Sequence, residues 1–279
     1  MNRAALRKIP LRTNRFAGLA PILHRILFVL FLIQFALVWS GLWLHSPLLG
    51  QARWPEGLLV VLATATTVAS LGLQLPAQNV MLASILIAFI AGLVQTVGTK
   101  TGIPFGPYTY TEEIGQQLFD PLPWAVPMVW LVAMLNSRGV ARLILRPWRK
   151  TQTYGFWLMG LTAAFVVLFD FGLEPFATRV KHYWFWSPTK AAFDWYTTPW
   201  VNFLGWAATA LLILAFVTPS LINKKPVKHP PDYQPLIIWL LVNLLFATGE
   251  AAHQLWPAAI AVLLGSLAVT IFAVRGARW

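Results

Sequence analysis

Runs of about twenty apolar residues recur along this chain, and no other feature narrows its fold so far. Such a run, coiled as a helix, crosses the hydrocarbon core of a bilayer. Eight segments qualify: Arg25–Leu44, Gly57–Leu75, Asn79–Val97, Trp124–Leu145, Thr153–Leu173, Pro199–Val217, Pro235–Ala252 and Pro257–Val274. They are unbroken rather than alternating, which favours helices over a membrane barrel. The fourth is the weakest, because NSRGVAR at Asn136–Arg142 interrupts it, and the alternative for it is a shorter span followed by an interfacial helix. The expected fold is all-α: a polytopic integral membrane helical bundle of about eight transmembrane helices.

Composition agrees. Hydrophobic residues make up 58% of the 279 and charged residues only 11%, against roughly 25% charged in soluble domains. The net charge of +12 does not point to nucleic acid, because the basic residues lie between the spans, where membrane topology calls for them. With the N-terminus cytoplasmic, inner segments hold 16 of the 21 basic residues, including Arg3, Arg142, Arg149, Lys224 and Arg278. Outer segments hold Arg53, Lys100, Arg179, Lys181 and Lys190. This asymmetry predicts eight spans with both termini cytoplasmic, in a cell inner membrane. Residues 1–24 read as a basic cytoplasmic arm without a signal-peptide cleavage pattern, and 25–279 as a single transmembrane domain in contact with lipid. The absence of cysteine excludes disulfides and thiol catalysis.

This topology leaves two long aromatic-rich outer loops, Gly98–Pro123 and Glu174–Thr198. Trp184, Trp186 and Trp195 in the second suit an interfacial belt as well as a site. Ionisable residues within spans are functional candidates. Asp170 and Glu174 in FDFGLEP are four apart and share a helix face. Two carboxylic groups that close in an apolar site repel, and a neutral carboxylic acid there is a ready proton donor. Glu250 and His253 in GEAAH are three apart, spaced for a proton-relay pair or for a satisfied hydrogen bond at a helix end. Gln95, Asn136 and Asn202 are amides at span positions, where helix-to-helix hydrogen bonds are the default. No dinucleotide fingerprint, phosphate loop or nucleophile elbow is present, and Asp170/Glu174 lacks the matching second acidic set of diphosphate-binding sites.

Four blocks together carry a resemblance. TGIPFGPYTYT (Thr101–Thr111), PLPWAVPMVWLV (Pro121–Val132), FDFGLEPFATRVKHYWFW (Phe169–Trp186) and YTTPWVNFLGW (Tyr196–Trp206) occur in this order. They resemble the motifs of a carotenoid biosynthesis family that includes the CruF-type carotenoid 1′,2′-hydratases and the haloarchaeal bisanhydrobacterioruberin hydratases. The resemblance spans roughly Gln95–Trp206. Two positions depart from the family pattern: Gln95 stands where the family has an acid, and Glu174 where it has an aspartate before proline. The resemblance implies addition of water across the C1′–C2′ double bond of an acyclic ψ end group: proton to C2′, tertiary cation at C1′, capture by water. Its implied catalytic residues are Asp170 and Glu174. Its implied substrate contacts are Gln95, Phe105, Gly106, Tyr108, Tyr110, Trp184, Trp186, Asn202 and Trp206. No cofactor or metal is implied, and the partners are a lycopene- or γ-carotene-like substrate, membrane lipid and other carotenoid-pathway enzymes. The Gln95 departure keeps cyclisation or isomerisation of the same substrate class open, and beside them a non-catalytic carotenoid- or lipid-binding protein.

Overall fold

A computed structural model describes residues 18–44, 54–188, 194–222 and 230–279. Eight long helices run through these residues: α1 (Leu19–Leu44), α2 (Trp54–Gly72), α3 (Ala77–Thr101), α4 (Ala125–Ile144), α5 (Tyr154–Pro175), α6 (Trp200–Val217), α7 (Gln234–Ala252) and α8 (Trp256–Ala277). Seven, all but α4, are long and apolar enough to cross a membrane. The protein is therefore an all-α, multi-pass membrane bundle. Its outward faces are greasy, as lipid requires: Met81, Ile85 and Phe89 on α3 and Leu264, Leu267 and Ile271 on α8 are all exposed.

α4 keeps the fourth segment, Trp124–Leu145, in one piece, against the alternative of a shorter span followed by an interfacial helix. It is one continuous helix, packed against α2, α3, α5, α7 and α8. Its residues are mostly buried, Asn136, Ser137 and Arg138 included. A helix enclosed by other helices needs no lipid-facing apolar side, so its polar residues face protein instead. Asn136 Nδ2 donates to Thr67 Oγ1 on α2 at 3.0 Å and to the Val132 carbonyl at 2.8 Å.

The helix ends differ from sequence expectation in two places. α1 begins at Leu19, inside the segment read as an arm, whose residues 1–17 lie outside the described region. The second outer loop is shorter than expected, because α5 continues to Pro175 and then through a π-helical turn at Phe176–Val180. Proline has no N–H, so Pro175 leaves the carbonyl four residues back without its helical donor. The Trp195 indole N–H takes that carbonyl, Phe171 O, at 3.0 Å, and its ring stacks on Phe171 at 4.2 Å.

The loops at this end form short antiparallel ribbons. β1 (Tyr108–Tyr110) pairs with β4 (Trp184–Trp186), joining the two aromatic loops in the register Tyr108 opposite Trp186 and Tyr110 opposite Trp184. β2 (Gln117–Phe119) pairs with β3 (Leu122–Pro123), and β5 (Asp194–Trp195) with β6 (Thr198–Pro199).

Candidate active site

The loop Gly102–Thr111 builds one wall of the site. Gly102 closes α3 in the left-handed conformation (φ 75°), its N–H on the Gly98 carbonyl at 2.7 Å. The chain then folds back over the bundle, and Phe105, 1% exposed, wedges against Gly98 on α3 and Gly205 on α6. A β-carbon on Gly205 would lie 2.7 Å from the Phe105 ring and 2.9 Å from the Pro104 carbonyl oxygen, so only glycine admits the loop this deeply. The chain next enters β1, where side chains two apart share a face. Tyr108 and Tyr110 consequently both reach Gln95, their hydroxyls donating to its Oε1 at 2.5 and 3.1 Å. Thr99 Oγ1 donates to the Tyr108 hydroxyl at 3.0 Å.

β4 supplies the facing wall by the same periodicity. The indole N–H groups of Trp184 and Trp186 both donate to Glu174 Oε2, at 3.2 and 2.9 Å. Thr198 Oγ1 adds a third donor to that oxygen at 3.0 Å. Thr198 is aimed by the tight β5–β6 hairpin, whose turn residues Tyr196 and Thr197 sit at φ 53° and 78°. A β-branched residue there is strained, and such strain concentrates at functional sites. The Asn202 amide bridges the two acids: Nδ2 donates to Asp170 Oδ2 at 2.8 Å and to Glu174 Oε1 at 3.1 Å. Asp170, Glu174 and Asn202 are all at most 2% exposed.

These residues lie at a cavity of about 1030 Å³. Among the residues proposed from sequence, Gln95, Phe105, Tyr108, Tyr110, Glu174, Trp184, Trp186, Asn202 and Trp206 line it. Asp170 and Gly106 do not. Asp170 sits behind Asn202, and Gly106 (φ 102°) packs against Pro199 and Trp186 to hold the loop in place. The ring faces form a cluster, with Tyr108 centroids 5.3 Å from Tyr110 and 5.2 Å from Trp186. Trp206 stacks on Trp130 of α4 at 4.0 Å. Trp130, Thr198 and Thr99 escape the sequence reading as individuals, although Trp130 and Thr198 fall inside the quoted blocks. At α2 the cavity wall includes the exposed apolar side chains Trp54, Leu58 and Val61.

Glu250 and His253 do not pair. His253 Nδ1 lies 2.9 Å from the Gly249 carbonyl, and the fully buried Glu250 carboxyl has no hydrogen-bond partner among the described residues.

Burial pushes the Tyr108 and Tyr110 hydroxyls above the ordinary tyrosine value of 10.0. Both therefore remain donors to Gln95 throughout the neutral range. An unfolded chain ionises these phenols near pH 10 while the folded one resists, so the folded state binds more protons and stability falls as pH rises past 10. Thermal unfolding in detergent is expected to be insensitive to these groups through pH 9. It should weaken above pH 10 by up to about 1.4 kcal/mol per pH unit per tyrosine, with a shallower slope for Tyr110→Phe.

The fold and site define a multi-pass membrane protein with a buried carboxyl on the wall of a large, aromatic-lined cavity. A family model described as carotenoid biosynthesis protein matches residues 56–268. The chain belongs to that family. It is also similar to a bisanhydrobacterioruberin hydratase from Haloarcula japonica, 25% identical over 181 residues, which are 62% of this chain and 57% of that protein. The match thus spans little more than half the relative's length. No solved structure matches the chain.

Proposed function

We propose that the protein is a carotenoid hydratase that adds water across the C1′–C2′ double bond of an acyclic ψ end group. The observation that carries this reading is Glu174: a carboxyl on the cavity wall, gripped by four donors and surrounded by aromatic rings. The polyene enters from lipid past Trp54 and Leu58 and lays its end group against the Tyr108, Tyr110, Trp184 and Trp186 rings. Glu174, in its neutral form, gives its proton to C2′ while the π electrons of the double bond form the new C–H bond. The tertiary cation left at C1′ faces ring quadrupoles that attract positive charge. Water adds to C1′ and its surplus proton returns to Glu174, so substrate plus one water becomes a tertiary alcohol.

Asp170 takes a positioning role in this scheme. Among the described residues its one hydrogen-bonded link to the site is Asn202, whose single amide nitrogen fixes both acids. Gln95 uses its carbonyl for the two tyrosines, which leaves its NH₂ as a donor for the attacking water. Asn202→Leu removes the bridge and is expected to lower turnover by about 10-fold to 100-fold with modest change in substrate affinity, by the general sensitivity of catalysis to misplaced groups. Steady-state assays on reconstituted protein check this.

The test of the function is expression in a bacterium that makes lycopene or γ-carotene, with pigments separated by liquid chromatography and weighed by mass spectrometry. A product heavier by one water supports the hydratase. A product of unchanged formula supports the second reading, cyclisation or isomerisation, which Gln95 favours because an amide there cannot act as a second acid. Bound but unconverted pigment would mark a binding protein. We take α4, enclosed by the other helices, as the eighth crossing; the positive-inside pattern then gives an inner-membrane protein with both ends cytoplasmic and this site toward the outer face.

A further inference from the structure

At the other end of α4 lies a second, smaller cavity of about 180 Å³ that the reaction does not use. Its space equals that of about six waters, far too little for a polyene. Four guanidinium groups line it: Arg138, Arg142, Arg146 and Arg149. One acid faces them, Asp232, and it is already engaged: Oδ2 accepts from Gln74 Nε2 at 2.6 Å and Ser70 Oγ at 3.4 Å, and Oδ1 from the Gln234 N–H at 3.0 Å.

Arg138 is the informative residue. It is 6% exposed, and its only hydrogen bond among the described residues runs from Nη2 to the Leu221 carbonyl at 3.1 Å. A guanidinium carries five N–H donors, so most of this buried cation's donors are left for a ligand. A buried charge with no ion pair of its own is costly, since the one nearby acid, Asp232, is held by Ser70, Gln74 and Gln234, and Arg142, one turn along the same face, adds repulsion. Favourable contact with a helix C-terminus explains arginines in the last turn of α4, but Arg138 lies six residues before Ile144. A charge distribution rule would place cations on the surface of this end; it would not bury one at the floor of a polar cavity.

We infer that this cavity binds a phosphate group of an anionic ligand, with Arg138 at its floor and Arg142 and Arg149 at its mouth. The chemistry suits an anionic phospholipid headgroup, which basic cavities between membrane helices are suited to hold, and equally a free phosphate.

The full-length protein, purified in a neutral detergent, provides the test. Thermal unfolding is followed while phosphatidylglycerol or phosphatidylcholine is added in mixed micelles, and separately while inorganic phosphate replaces chloride at constant ionic strength. A saturable rise in Tm with phosphatidylglycerol but not phosphatidylcholine identifies a lipid headgroup site. A saturable rise with inorganic phosphate identifies a site for soluble phosphate. Arg142 is exposed, so Arg142→Gln should fold, and it is expected to raise the half-saturating concentration about fivefold. Arg138→Gln should remove the response. Absence of a saturable rise in the unaltered protein with either ligand overturns the inference, as does a response in Arg142→Gln equal to that of the parent. Neither result bears on the carotenoid site, which is read from pigment.

Discussion

Glu174→Gln is expected to stop conversion of the carotenoid while leaving the protein folded. The amide is nearly the same size as the carboxyl and can turn its oxygen toward the Trp184, Trp186 and Thr198 donors that now meet Oε2. Its NH₂ then opposes the Asn202 Nδ2 donor, a mismatch costing about 1–3 kcal/mol in a buried site. Most proteins survive a loss of that size. The reaction does not, because an amide has no proton to give an alkene. General acid catalysis contributes about 10²-fold to 10⁴-fold, and turnover should fall by at least about 10²-fold. Asp170→Asn should lose less, since Asp170 is off the cavity wall. Product quantification beside immunoblots of membrane fractions measures both. A Glu174→Gln protein that keeps its activity, with Asp170→Asn inactive, would exchange the two roles.

Gly205→Val should be the most damaging single change outside the acid itself. Its branched side chain would enter space held by the Phe105 ring and the Pro104 carbonyl. Backbone on one side and a ring 1% exposed on the other give no room for adjustment. Overpacking costs about 1–3 kcal/mol where a core can shift, and here the easier response is for the loop to lift. Lifting Phe105 also moves β1, and with it Tyr108, Tyr110 and the pairing to Trp184 and Trp186. The expected outcome is a fall in Tm in detergent together with loss of turnover of about 10²-fold or more, as for any shift of about 1 Å in catalytic groups. Limited proteolysis should find new cleavage within residues 102–111. Gly155→Val is the control, because no atom lies within 4 Å of a β-carbon there.

Much of this arrangement is legible in the sequence because lipid imposes simple rules. Run length alone finds the helices, and the pairing of acids four apart in FDFGLEP places both on one face, where Asn202 does link them. The alternation in PYTY puts Tyr108 and Tyr110 on one strand face, whereas WFW shows itself as a strand only through its pairing with β1. α4 is the hard case: its polar run weakens the fourth span because a window of sequence cannot know that a helix is largely enclosed by its neighbours. The partners of Glu174 were only partly legible. Residue types mark Trp184 and Trp186, but that both indoles converge on one oxygen follows from the β1–β4 pairing between loops more than 70 residues apart in contact. Asp170 and Glu174 look equivalent in sequence, and only the cavity wall separates them. The 180 Å³ basic cavity is hidden for a similar reason, since its arginines satisfy the topology rule whether or not they meet at one point.

The most direct measurement is the fate of a single proton. Membranes containing the protein are incubated with a ψ-end carotenoid in heavy water, and the product is analysed by mass spectrometry and nuclear magnetic resonance. Protonation by Glu174 followed by water capture predicts an alcohol heavier than its substrate by one water, with one non-exchangeable deuteron at C2′, and no such product from Glu174→Gln. An alcohol without deuterium at C2′, or a deuterated isomer that has gained no oxygen, would contradict the hydration mechanism.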